Sequence, residues 1–146
     1  MTTRWTLTFD CHDTAAMARF WTVALGYVEA PPPEGWESWE AWLRHFEVPE
    51  EEEWADGSLL EDPQGVLPSI GFVKVPEPKT AKNRLHLDLQ VAGGRHVDQD
   101  KREELIEDMV NLLVEAGGTV SYRSMEQGHL DHVTMADPEG NEFCVV

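Results

Sequence analysis

The sequence predicts an α+β fold built from two copies of one βαβββ module. Residues 4–11 match residues 84–91 position by position in polarity, and an Asp-Pro-x-Gly turn occurs at 62–65 and again at 137–140. In each half, a segment with period-2 alternation precedes a segment with helical period, and the turn precedes a last strand. Two such copies, related by a pseudo-twofold axis, bring matching positions together at a shared cleft.

The first strand of each copy alternates between apolar and polar residues, which is typical of a half-buried strand. In the first copy the apolar side carries Trp5, Leu7, Phe9 and Cys11. In the second copy it carries Leu85, Leu87, Leu89 and Val91. The polar sides carry Thr6 and Thr8 in the first copy and His86 and Asp88 in the second.

Each first strand is followed by an amphipathic helix. The spacing predicts a helix over 14–25, with Asp13 as its N-cap and Gly26 as its end. The second helix is predicted to begin at a capping box formed by Asp100 and Glu103 and to end at Gly117. Its expected apolar stripe is Leu105, Met109, Leu112, Leu113 and Ala116.

The remaining strands are predicted from short apolar segments bounded by turns. The second copy should contain strands at 119–124, 132–136 and 142–146, with a turn bracketed by His129 and His132. The last strand of the first copy should span 69–75.

The first copy is longer than the second, and its extra residues are expected between Tyr27 and Ser58. This stretch contains the acidic run at 50–53. Its tryptophans Trp36, Trp39 and Trp42 have a spacing of three, which indicates one side of a short packed helix or, alternatively, an aromatic lid over a cleft.

Length and charge restrict the classes of protein. The 146 residues suit one domain, 1–146, with a first module at about 1–76 and a second at about 84–146. Asp and Glu total 28 against 11 for Lys and Arg, and the formal charge of −17 would repel a phosphate backbone, so we expect no nucleic-acid partner. No apolar run reaches the ~20 residues of a membrane span, so we expect a cytoplasmic protein without a membrane partner. Alternation along their strands aims Cys11 and Cys144 at opposite sheet faces, so we expect both thiols to be reduced.

Several motifs together resemble one known superfamily. They are Phe20-Trp21, Leu25-Gly26-Tyr27, residues 84–89 and residues 137–143. This set is similar to the vicinal oxygen chelate superfamily, also called glyoxalase/bleomycin-resistance/dioxygenase proteins, and within it to a glyoxalase-like branch common in actinobacteria. The resemblance implies a half-barrel of two modules whose concave side holds a metal or ligand, and a homodimer. It also implies an enzyme of the lyase, isomerase or dioxygenase kind, or a metal-free binding protein.

The resemblance places metal ligands on the first and last strand of each module. His86 occupies the ligand position in the second copy, but its counterpart Thr6 is a weak ligand and Cys144 stands where a glutamate is usual. Glu142 lies two residues before Cys144. A site of His86 with Glu142, or with Cys144, would accept zinc, iron, manganese or nickel, although a metal is not the favoured interpretation.

A metal-free interpretation uses the same face. His86 and Asp88 would be acid-base partners, with Glu142 as a third catalytic group. The expected ligand-binding residues are Thr6, Thr8, Lys74, Trp39 and Cys144.

Two hypotheses about function follow. The first is an enzyme acting on a small organic molecule. The second is a protein of the bleomycin-resistance type that binds or sequesters a cationic or aromatic small molecule.

Overall fold

The computed structural model describes residues 1–47 and 59–146. The predicted acidic run at 50–53 lies outside the described residues. The chain divides into two compact units, one of residues 1–22 with 26–78 and the other of residues 23–25 with 79–146. The boundary at residue 78 falls between the two predicted modules.

Both halves of the chain follow the predicted order of elements. The first half contains β1 (Leu7–Cys11), α1 (Thr14–Leu25), β2 (Val28–Glu29), α2 (Trp39–His45), β3 (Leu59–Glu61) and β4 (Ile70–Lys74). The second half contains β5 (Asp88–Leu89), α3 (Gln99–Glu115), β6 (Thr119–Glu126), β7 (His129–Ala136) and β8 (Glu142–Val145). Among the residues that the structure describes, the first half has the additional short helix α2.

The two four-stranded sheets have the same topology. The strand order is β1-β4-β3-β2 in the first sheet and β5-β8-β7-β6 in the second. In each sheet the first and last strands of the module pair in parallel, and the other pairs are antiparallel. The α+β class and the repeated βαβββ module are confirmed.

Helix α1 has the predicted bounds because both of its caps are built by local sequence. The Asp13 carboxylate accepts a hydrogen bond from the Ala16 backbone N–H at 2.9 Å, and Gly26 ends the helix at φ +67°. Its buried side includes Trp21, whose ring lies 5.0 Å from that of Phe9 on β1. Phe9 in turn stacks on Phe72 of β4 at 5.7 Å. The first sheet is thus packed on one side by aromatic residues.

Helix α3 begins earlier than predicted, and its buried side is rotated. The N-cap is Asp98, whose carboxylate accepts from the Lys101 N–H, so Asp100 lies in the first turn. The predicted partner of Asp100, Glu103, instead accepts a hydrogen bond from the Leu130 N–H at 3.1 Å. The completely or almost completely buried residues of the helix are Ile106, Val110 and Leu113, whereas the predicted stripe residue Leu112 is 45% exposed.

Three local predictions about strands and loops are wrong. The first strands are shorter than the predicted 4–11 and 84–91, since β1 begins at Leu7 and β5 covers Asp88–Leu89. The predicted apolar residues Trp5 and Leu85 are 64% and 70% exposed. The turn between β6 and β7 lies at Gln127 and Gly128, both with positive φ, so His129 and His132 are on β7. Helix α2 begins after its N-cap Ser38, so Trp36 precedes it; the Trp36 ring lies 4.9 Å from that of His45 and 6.2 Å from that of Phe46.

The two Asp-Pro turns use their aspartates as backbone acceptors. Asp137 is 3% exposed, and one of its carboxylate oxygens accepts from the N–H groups of Glu139 and Asn141 at 3.0 Å each. Asp62 accepts from three backbone N–H groups, those of Gln64, Val66 and Leu67. The predicted turn before the last strand of each module is confirmed.

Among the described residues, no helix has both the length and the apolar character needed to cross a membrane.

Candidate functional site

One side of the second sheet packs against α3 and the other carries polar side chains. The side toward α3 is formed by Val133, Met135, Phe143 and Val145, all of them buried. Residues between them alternate to the other side. There the strand register places Cys144 of β8 opposite both Thr134 of β7 and Asp88 of β5. We call this polar side, defined by Asp88, Thr134 and Cys144, the donor face.

His86 extends the donor face just before β5. Its Nε2 lies 3.2 Å from the Asp88 Oδ1. In the described part of the chain, His86, Asp88 and Cys144 form a group in which one donor atom from each lies within 4.8 Å of the others. The two residues predicted as acid-base partners are therefore neighbours, and the thiol joins them.

The thiol of Cys144 is kept in its protonated form by its surroundings. Burial is the main reason that the pKa of Cys144 is raised, and the nearby Asp88 carboxylate acts in the same direction. The Thr134 hydroxyl, 3.6 Å from the sulfur, acts in the opposite direction. Because burial outweighs these opposing effects, Cys144 is a weak nucleophile.

Glu142 contacts the segment that precedes His86. One oxygen of its carboxylate accepts a hydrogen bond from the Asn83 N–H at 2.9 Å. Lys79 lies 3.5 Å and Lys82 3.8 Å from the carboxylate. The Asn83 N–H is the main cause of the lowered pKa of Glu142, and the two ammonium groups act in the same direction. Glu142 therefore fastens the segment before His86 to β8 and is not part of the group with His86, Asp88 and Cys144.

Residues 6–146 match the family model described as a glyoxalase-like domain. The chain belongs to the glyoxalase-like domain family. The resemblance to the vicinal oxygen chelate superfamily is thereby confirmed, while the branch within it stays a prediction. A search of curated proteins finds no match.

Solved structures of the same fold cover nearly the whole glyoxalase-like chain. A hypothetical protein from S. aureus is 16% identical, with a TM-score of 0.60, over 99% of this chain and 93% of that one. A glyoxalase/bleomycin resistance protein/dioxygenase family enzyme from Burkholderia phytofirmans is 17% identical, with a TM-score of 0.58, over 96% and 94%. A mutant of the fosfomycin resistance protein FosX from Listeria monocytogenes, complexed with Mn(II) and a dihydroxypropylphosphonic acid, is 10% identical, with a TM-score of 0.62, over 99% and 89%.

The donor set of this glyoxalase-like chain fits a divalent transition metal. An imidazole nitrogen, a carboxylate oxygen and a thiol sulfur are the three ligand types that zinc uses in proteins. The separation of 3.2 Å between the nitrogen of His86 and the oxygen of Asp88 is close to that of two ligands at one tetrahedral centre, given metal–ligand bonds of about 2.0–2.2 Å. Three protein ligands leave a further position for water or substrate.

The other predicted ligand-binding residues lie in the first unit. Thr8 is exposed on the side of β1 opposite Phe9, and Thr6 is exposed just before that strand. Lys74 is exposed at the end of β4, with the parity of the buried Phe72, so it does not share the side of Thr8. Trp39 is half-buried and donates its indole N–H to the Ala30 carbonyl at 2.9 Å, which fixes the start of α2.

Sequence reasoning missed one residue of the donor face. His132 of β7 is two residues from Thr134 and shares its side of the sheet. Its Nδ1 lies 2.8 Å from the Asp131 carboxylate, and this hydrogen bond lowers the pKa of Asp131. The imidazole is thereby oriented by a carboxylate, as in many proton-transfer sites. Alternation within the predicted strand at 132–136 already places His132 on the side of Thr134.

Proposed function

We propose that this chain is an enzyme that acts on a small organic molecule at the donor face, with a divalent metal held by His86, Asp88 and Cys144. The observation that carries this proposal is the convergence of the three donor atoms within 4.8 Å. The three side chains come from two strands and the segment before β5, so their meeting depends on the pairing of β5 with β8.

The chemistry of the three donors favours zinc over manganese. Manganese prefers oxygen ligands, whereas a thiolate selects softer ions. FosX of Listeria monocytogenes, which shares the fold, has been solved with Mn(II). The Cys144 sulfur is the reason that we propose a different metal here. When bound, the ion would supply a Lewis acid that polarises an oxygen of the substrate.

The chain's own residues hold the metal and transfer protons. Cys144 must lose its proton when it becomes a ligand, so metal affinity should rise with pH. His132, held by Asp131, presents its Nε2 as a proton acceptor on the same side of the sheet. We propose that His132 exchanges a proton with a substrate that is fixed at the donor face.

Elemental analysis of protein purified without a histidine tag tests the metal site. We expect about one equivalent of zinc, lost in His86→Ala and kept in His96→Ala. His96 is a suitable control because it is an exposed histidine of the same unit. Absence of any metal after incubation with zinc, iron, manganese and nickel would contradict the proposal.

Turnover distinguishes an enzyme from a binding protein. The zinc-loaded protein should convert a polar small molecule in more than stoichiometric amount in a screen followed by NMR, and His86→Ala should not. The same screen should show slower turnover in His132→Gln with unchanged zinc content, because the substitution removes a proton acceptor and no metal ligand. Saturable binding without conversion of any compound would instead favour the binding protein.

A homodimer, which the superfamily resemblance implies, is part of the proposal. Sedimentation equilibrium at micromolar concentrations should give twice the mass of the chain. A monomeric mass would reject this part and leave the metal site untouched, because all three donors belong to one unit of one chain.

A further inference from the structure

The segment that precedes His86 carries the densest run of cations in this acidic chain. Lys79, Lys82 and Arg84 are three of its 11 lysines and arginines, and they lie within six residues. No Asp or Glu occurs from residue 78 to residue 87, although the chain has 28 of them. Positive charge is therefore concentrated beside the donor face of a protein whose formal charge is −17.

The two lysines of this segment have different surroundings. The Lys79 ammonium donates to the Ala81 carbonyl and lies 3.5 Å from Glu142 Oε2, so it balances the charge of that carboxylate. The Lys82 ammonium is 3.8 Å from the other carboxylate oxygen, which is beyond hydrogen-bond distance, and its side chain is 69% exposed. In the part of the chain that the structure describes, the donors of Lys82 are therefore open to another acceptor.

The Lys82 ammonium lies at the edge of the donor face. Glu142, which it faces, is two residues before Cys144 on β8, so these two side chains share one side of the sheet about 7 Å apart. Burial raises the pKa of Cys144, and the positive charge of Lys82 acts against this effect, so the ammonium lies within electrostatic reach of the thiol. The hydrogen bond from the Asn83 N–H to Glu142 fixes the backbone next to Lys82.

We propose that the substrate of the donor face is a small organic anion and that the Lys82 ammonium binds its acidic group. This inference rests on the proposed function, because the proposed metal would hold an oxygen at the other end of the same molecule. The spacing of about 7 Å between neighbouring same-side residues of β8 suits two oxygen-bearing groups joined by a short carbon chain. Lys82 also attracts anions to one place on a surface that otherwise repels them.

Glutarate and glutaramate test the inference because they share one carbon chain and differ by one negative charge. NMR titrations of the zinc-loaded protein at low ionic strength give the dissociation constant of each compound. Glutarate should bind about four- to ten-fold more tightly, since an ion pair with an exposed ammonium contributes up to about five-fold and either of its two acids can reach Lys82. A preference of two-fold or less, which that statistical factor alone explains, would overturn the inference.

Variants of Lys82 assign the preference for glutarate to this ammonium. Lys82→Gln should reduce the preference to about two-fold, and Lys82→Arg, which keeps the charge, should retain most of it. Lys101→Gln is the matched control and should leave the preference unchanged. Lys101 is an exposed lysine of the same unit, and it lies on α3, which packs against the other side of the sheet. An unchanged preference in Lys82→Gln would overturn the inference.

Zinc content measured in the same samples separates this inference from the proposed function. Lys82→Gln should hold as much zinc as the wild type, because Lys82 is not a metal ligand. If the wild type holds no zinc, the proposed function fails, and glutarate is then titrated into the metal-free proteins. The ammonium belongs to the chain itself, so glutarate should still bind several-fold more weakly to Lys82→Gln than to the wild type. Equal affinity of the two metal-free proteins would overturn the inference as well.

Discussion

Equivalent positions of the two sheets carry opposite chemistry. In the second sheet, Cys144 lies between Asp88 and Thr134; in the first, Gly71 lies between Thr8 and Leu59. One copy therefore concentrates donor atoms where the other leaves open space. The copies agree on their buried sides and diverge on their open sides, which indicates that duplication preserved the packing and left the polar sides free to take different roles.

The largest expected effect is the loss of folding stability when a buried phenylalanine is replaced by alanine, and this loss should be similar in the two sheets. Phe143 of β8 and Phe72 of β4 are 1% and 6% exposed. Phe143→Ala and Phe72→Ala should each lower the free energy of unfolding by about 3–5 kcal/mol, since each leaves a cavity. Urea denaturation measures this. If only one of the two variants loses less than about 1 kcal/mol of unfolding free energy, the buried sides of the two sheets are not equally well packed.

Removing the turn aspartate should destabilise the protein more at 137–140 than at 62–65, although both turns have the sequence Asp-Pro-x-Gly. Asp137→Ala should lower the free energy of unfolding by about 1–3 kcal/mol, because it leaves partly buried N–H groups of the turn without their acceptor. Asp62→Ala should cost less, because water can replace the lost acceptor at an exposed turn. Thermal denaturation of the two variants compares them directly. A larger loss in Asp62→Ala would reverse the order.

A smaller effect is expected in the pH dependence of the free energy of unfolding, through the carboxylate of Asp62. Backbone N–H groups lower the pKa of Asp62 in the folded protein. Its contribution is therefore complete above the pKa of the unfolded chain and is lost as pH falls through the lower folded pKa. Asp62→Asn should flatten the acid side of the stability curve, measured by urea midpoints at several pH values. An unchanged slope would contradict this cause.

Much of the frame was predictable because it depends on local sequence. The bounds of α1 follow from Asp13 and Gly26, which act within one turn of the helix. The start of α3 was misplaced because Asp100 and Glu103 have capping-box spacing, whereas Glu103 bonds to Leu130 of β7. That bond depends on tertiary packing, which spacing alone does not predict.

The candidate site was predictable only in part, for the same reason. Alternation places His86 and Asp88 on one side of a strand, and the structure brings them together. The arrival of Cys144 depends on the register of β5 against β8. Glu142 accepts a hydrogen bond from the backbone N–H of Asn83, which is 59 residues away in sequence. Neither follows from local patterns.

Zinc binding should depend on the carboxylate of Asp88 and not on that of Glu142. Zinc content should be measured in Asp88→Asn and Glu142→Gln, both prepared without a tag and incubated with zinc. We expect Asp88→Asn to lose the metal, because Asp88 is a proposed ligand, and Glu142→Gln to retain about one equivalent, because Glu142 holds the segment at Asn83 and is not a proposed ligand. Loss of zinc in Glu142→Gln with retention in Asp88→Asn would contradict the proposed ligand set.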